Sequence, residues 1–132
     1  MANKKLKLLY LAQYLWEQTD EQHPGTMQEI IAYLASCGIS AERKSLYDDL
    51  ELLRLYGMDV QSVNGRSFGY FLGERAFQLP ELKLLVDAVQ SSSVISARTS
   101  KRIIHKLEAL CSDYEGTQLQ RQVLSLIHIS EP

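Results

Sequence analysis

The residues best suited to chemistry lie on one face of a helix predicted over residues 41–56. When Leu46 is set toward the core, at about 100° per residue, Lys44 and Asp48 point almost directly away from it. Lys44 can donate to guanine acceptors or to a phosphate, and Asp48 can accept from cytosine or orient Lys44. This face therefore carries groups able to bind nucleic acid.

Small and polar residues extend that face. Ala41 and Ser45 lie beside Lys44, and Ser45 can either donate or accept. Arg43 and Tyr47 lie on the flank and suit phosphate contacts, which set position more than sequence. Each residue taken alone fits a solvated helix face equally well, with an ordinary Lys–Asp pair. The interpretation therefore depends on the elements that position them.

The helix that carries this face is the second of two helices joined by a tight turn. Thr26, with Glu29 three residues later, predicts a capping box at the start of the first of them. Gly38 ends that helix in a left-handed conformation, and Ser40 is expected to cap the next one. Gly57 ends the second helix. This arrangement is typical of a helix-turn-helix.

A β-hairpin is predicted directly afterwards, over residues 58–72. Asn64-Gly65 separates two runs of alternating apolar residues, which is the strongest short signal for a hairpin. A hairpin after a helix-turn-helix predicts a wing. Arg66 at its tip can reach the minor groove or the backbone of DNA, and a solubilising turn residue is an equal alternative.

The first helix is expected over residues 3–19, with an apolar stripe that includes Leu11 and Leu15. Residues 20–25 form a polar loop. Lys4, Lys5 and Lys7 can touch phosphates, although a solvated helix start is the favoured interpretation.

Two further helices follow the hairpin. Pro80 predicts the first turn of one, and Ser96 caps the other. Both carry apolar stripes that need a partner, either a further domain or a second subunit. Residues 76–117 are therefore interpreted as a helical linker and dimerisation region.

Composition excludes several classes of function. The chain has 132 residues, 45% hydrophobic, with a net charge of −2, so nucleic-acid binding must be a local property. No segment can span a membrane. Cys37 and Cys111 are too few for a disulfide framework and fit a reduced, cytoplasmic setting. No metal spacing, catalytic set or phosphate-binding glycine loop is present, so we expect no enzyme, metal or cofactor. Adjacent Asp48 and Asp49 diverge on a helix and cannot share a substrate.

The final residues, 124–132, read Leu-Ser-Leu-Ile-His-Ile-Ser-Glu-Pro. This peptide resembles the translation of a common transposon-end sequencing adapter, although its alternation also fits a strand. We expect the natural protein to continue differently after Val123.

Three segments carry a family resemblance: 38–54 (GISAERKSLYDDLELLR), 69–72 (GYFL) and 77–92 (FQLPELKLLVDAVQSS). The chain resembles the N-terminal part of WYL-domain transcriptional regulators, which have a DeoR-like winged helix. The resemblance implies a dimeric bacterial DNA-binding regulator whose C-terminal domain senses a ligand. It also implies that residues 118–123 begin the first strand of that domain. Many relatives have a basic residue where this chain has Asp48.

The expected fold is therefore mostly α: a winged helix-turn-helix over residues 1–75, followed by two linker helices. The expected function is sequence-specific binding of duplex DNA by helix 41–56 and wing 58–72. The alternative is a winged helix that binds another protein and no DNA, which the acidic balance permits.

Overall fold

The chain is mostly helical, with a small antiparallel sheet. The computed structural model describes residues 4–65 and 68–130, with side chains described as far as residue 123. Within that part the elements are α1 Lys4–Gln18, β1 Gly25–Thr26, α2 Met27–Ser36, α3 Arg43–Tyr56, β2 Val60–Asn64, β3 Phe68–Leu72, α4 Leu79–Ser91, α5 Ala97–Glu108 and α6 Asp113–Ser130.

The chain divides into two compact units, Met1–Glu74 and Arg75–Pro132. In the first unit, α1, α2, α3 and the sheet enclose one apolar core. Its residues with no measurable exposure come from all three helices: Leu11, Leu15, Ile30, Leu34 and Leu46. In α3 the buried residues Leu46, Leu50 and Leu53 lie four and three residues apart, so one stripe of the helix faces inward.

The sheet has the order β1-β3-β2, with both pairs antiparallel. β1 was expected to be loop, and its pairing with β3 corrects that expectation. A Cβ at Gly69 would lie 2.9 Å from the Cβ of Pro24. Glycine at that position therefore permits the close approach of β1, which no local pattern around Pro24 reveals. Asn64 is paired with Phe68, so it belongs to the ladder rather than the turn.

The predicted helix ends are largely confirmed. Thr26 and Glu29 form the capping box at the start of α2, with hydrogen bonds of 3.0 and 3.1 Å. Gly38 and Gly57 have φ of 80° and 122°, so both occupy conformations that other residues rarely adopt. They set the two sharp changes of direction around α3.

A buried hydroxyl joins the hairpin to α1. The Oγ1 of Thr19 donates to the carbonyl of Leu15 at 2.6 Å and accepts from the backbone N–H of Leu72 at 3.1 Å. Thr19 has no measurable exposure, so both bonds lie in the interior. The end of β3 is therefore fixed to the end of α1.

The second unit packs α4, α5 and α6 around a separate core of Leu82, Val86, Ile104, Cys111 and Leu119. The expected helix starts are confirmed. Pro80 lies in the first turn of α4, and the Oγ of Ser96 accepts from the N–H of Thr99 at 3.2 Å.

Residues 118–123 lie in α6, so the strand expected there is wrong; the backbone remains helical through Ser130. Leu119 and Val123 are four residues apart and both pack on the second core. The side-chain amide of Gln122 also donates to the carbonyl of Lys83 at 3.2 Å. These helical contacts stand in place of the strand that the family resemblance implied.

Substituting Gly69→Ala should lower the free energy of unfolding of the first unit by about 1–3 kcal/mol, because the new methyl group collides with Pro24. Urea unfolding followed by fluorescence of Trp16, the single tryptophan, measures this. The control is Gly65→Ala, where a Cβ meets nothing within 4 Å. Equal stability of the two variants would contradict the packing argument.

Burial raises the pKa of the Cys111 thiol to about 11, so it stays protonated at neutral pH. In a Cys37→Ser variant, iodoacetamide at pH 8 should modify native Cys111 roughly 100-fold more slowly than in urea, since only thiolate reacts. Mass spectrometry measures the rate. Modification at the unfolded rate would show that the second core is not formed.

Candidate nucleic-acid interface

The turn between α2 and α3 is longer than the sequence suggested. α3 begins at Arg43, and Glu42 is its N-cap residue, without a side-chain hydrogen bond to the helix. The first helical bond joins the N–H of Leu46 to the carbonyl of Glu42 at 3.1 Å. Ser40 is therefore not the cap, and Ala41 is not in the helix.

The physical reason is the residue between Gly38 and Ser40. Ile39 is buried in the first core, and its N–H donates to the carbonyl of Leu34 at 2.8 Å. The chain must enter the core before it can turn into α3. Ser40 and Ala41 are thereby placed beside a shallow depression of about 350 Å³, which Ile31 also lines.

The outward face of α3 is close to the one predicted. Arg43, Lys44, Tyr47 and Asp48 are all exposed. Within the described chain Lys44 and Asp48 form no ion pair, so Asp48 does not orient Lys44 as one alternative supposed. Four side chains of the predicted set are thus accessible to a ligand.

Ser45 differs from its predicted role. It is half-buried, accepts a hydrogen bond from the ammonium of Lys7 at 3.0 Å, and donates to the carbonyl of Glu42 at 3.1 Å. Both bonds are within the protein and hold Ser45 at the start of α3.

Lys7 departs most from the position that the sequence predicts. Its side chain is only 10% exposed, and its ammonium lies 2.8 Å from a carboxylate oxygen of Asp49. The expected solvated helix start applies to Lys4 and Lys5, which are exposed. The same ammonium binds Ser45, so Lys7 fixes the first two turns of α3 to α1.

The hairpin forms the other side of this surface. Burial raises the pKa of Tyr70, and the neighbouring Tyr47 adds to the rise. The guanidinium groups of Arg43 and Arg54 oppose this rise. Arg54 also donates from Nε to the carbonyl of Val60 at 2.8 Å. The helix flank and the start of β2 are thereby held together.

Phe68 extends the same surface and was not predicted as a site residue. Its ring meets Tyr70 edge-to-face at 5.2 Å between centroids, yet 49% of Phe68 is exposed. The available signal was its place at the start of the second apolar run. Arg66, the predicted tip residue, lies outside the described residues.

The described residues give little support to a carboxylate site or to metal binding. Asp48 is exposed whereas Asp49 turns to Lys7, so the adjacent carboxylates do not converge. Among residues 4–65 and 68–123, no group of three or more His, Cys, Asp or Glu side chains could hold a metal ion. No helix in the described part is both long and apolar enough to cross a membrane.

No protein-family model, curated protein or solved structure matches this chain. The interpretation of this surface therefore rests on its own geometry. That geometry is a helix face bearing Arg43, Lys44 and Tyr47, on a helix that is hydrogen-bonded to the hairpin.

Lys7→Met should destabilise the first unit by roughly 3 kcal/mol, because Asp49 would remain largely buried without its cation. The double variant Lys7→Met, Asp49→Leu should recover most of this loss, since no buried charge remains. Trp16 fluorescence in urea measures both. Lys4→Met is the control, as it removes an exposed lysine from the same helix. A Lys7→Met cost no larger than that of the control would show that the ion pair does not stabilise the fold.

Proposed function

We propose that the chain binds duplex DNA as part of a transcriptional regulator, through a winged helix-turn-helix in residues 1–75. The observation that carries the proposal is the outward face of α3, where Arg43, Lys44 and Tyr47 are exposed. The same helix is hydrogen-bonded to the hairpin through Arg54. A helix of this kind fits the major groove of B-DNA, which is about 12 Å wide. In this proposal α3 is the recognition helix and the hairpin is the wing.

Each exposed residue has a distinct role in the proposed complex. Lys44 donates to base acceptors or a phosphate, and Asp48 accepts from a cytosine amino group. Arg43 and Tyr47 lie on the flank that faces the hairpin and bind phosphates, which fix the register. Arg66 contacts the backbone or the minor groove from the wing. Ser40 and Ala41 lie in the turn and approach the groove without directed contacts.

The wider proposal is that the intact protein is a WYL-domain regulator of the bacterial cytoplasm. It binds DNA as a homodimer and responds to an effector at a further domain. This part rests on the resemblance of segments 38–54, 69–72 and 77–92. The second unit supplies the helices of the proposed linker and dimerisation region.

An alternative function is supported by a different surface. Three apolar side chains in the C-terminal half of α3 are strongly exposed: Leu52 at 50%, Leu55 at 82% and Tyr56 at 84%. Residues 1–74 also carry ten acidic side chains against seven Lys and Arg. Such a surface fits a module that binds another protein and no DNA, in keeping with the acidic balance of the chain.

A salt titration separates the two functions. Binding of the chain to a random duplex, followed by fluorescence anisotropy, should weaken steeply as salt rises because phosphate contacts release counterions. Arg43→Ala and Lys44→Ala should each lower the slope of log K against log salt by roughly one. Lys83→Ala, an exposed lysine of α4, is the control and should leave the slope unchanged.

Two results would count against the proposal. If Arg43→Ala and Lys44→Ala bind as the parent does, α3 is not the contact helix. If the intact regulator binds no duplex even at low salt, the proposed DNA-binding function is wrong, and the apolar surface of Leu52, Leu55 and Tyr56 becomes the leading candidate.

A further inference from the structure

The strongest positive surface of the described chain lies on α5, in the second unit. One face of this helix carries five basic side chains, all exposed: Arg98, Lys101, Arg102, His105 and Lys106. Their spacing of three and four residues puts them on one continuous stripe. We name these five residues the α5 basic face.

The opposite side of α5 is fixed in the interior. Ile104 is 5% exposed and Leu107 packs on the same core, against α4 and α6. Ser96 caps the start of the helix through the N–H of Thr99. The basic face therefore points outward on a rigid element, and the apolar side of the helix is not free to enter a bilayer.

Little within the protein neutralises this face. His105 lies 3.9 Å from Glu108, whose carboxylate also accepts a hydrogen bond from Gln120 at 2.9 Å. Among the described residues Arg98, Lys101, Arg102 and Lys106 form no ion pair. Four unpaired cations on one helix stand out in a chain that has 16 acidic residues and 14 Lys and Arg.

We propose that the α5 basic face binds the sugar-phosphate backbone of duplex DNA, as a second contact surface independent of α3. From Arg98 to Lys106 the helix rises about 12 Å, which corresponds to three to four base-pair steps of about 3.4 Å along the duplex axis. The proposed contacts are to phosphates, so they add affinity and leave sequence preference unchanged.

The test uses the full chain and a random duplex. Arg102→Gln with Lys106→Gln should lower the slope of log K against log salt by about two, since two phosphate contacts are lost. The matched control is Lys83→Gln with Arg121→Gln, which removes the same charge from α4 and α6. Protection of Cys111 from iodoacetamide checks that the second unit stays folded. An equal fall in slope for both pairs would reduce the effect to net charge and overturn the proposal.

Two further measurements distinguish this proposal from DNA binding by α3 alone and from membrane binding. If the α5 pair lowers the slope while Arg43→Ala with Lys44→Ala does not, the second surface stands and the proposed role of α3 fails. If only the α3 pair lowers the slope, the proposed role of α3 stands and the proposal for the α5 basic face fails. Vesicles containing phosphatidylserine form the last arm. Binding to them that depends on Arg102 and Lys106, with an unchanged DNA slope, would assign the face to an anionic membrane instead.

Discussion

The ammonium of Lys7 lies between the carboxylate of Asp49 and the hydroxyl of Ser45, and much of the first unit is organised around it. A lysine so nearly buried requires a partner, because an unpaired charge in the interior is strongly destabilising. Both partners belong to the first two turns of α3. The orientation of the exposed face is therefore set from the buried side, by a residue of α1. The inward positions of Ser45 and Asp49 help to hold Arg43 and Lys44 outward.

Two separate hydrogen bonds join the sheet to the helices of the first unit. Thr19 bonds the backbone of Leu72 from the end of α1, and Arg54 of α3 bonds the carbonyl at Val60. β3 is central and also pairs with β1, so a shift of the hairpin would disturb the pairing with β1. The hairpin is thereby a fixed companion of α3, and Phe68 keeps a defined place beside Tyr70.

Local patterns were enough to predict most helices and their ends. Thr26 with Glu29, Gly38 and Gly57 act within a few residues of the chain, so their signals are visible in sequence. Residues whose partners are distant were missed. Lys7 looked solvated because Asp49 is far along the chain, and β1 is too short to show any periodicity.

In the candidate site, too, local spacing predicts some positions, and distant partners decide the others. The spacing of Arg43, Lys44, Tyr47 and Asp48 around Leu46 was sufficient to place them on the exposed side. The same spacing did not predict the half-buried position of Ser45, because a long-range hydrogen bond from Lys7 decides its orientation. The strand expected over residues 118–123 failed because packing of Leu119 on the second core favours a helix.

Thr26 belongs to two elements at once. It pairs with Gly69 in the sheet, and it is also the residue that caps α2. A one-residue slip of β3 would therefore move the hairpin relative to the first turn of α2. The two partners are distant in sequence, and contacts of that kind form late because the intervening loop must first close. The hairpin and the start of α2 should consequently become ordered in a single cooperative step.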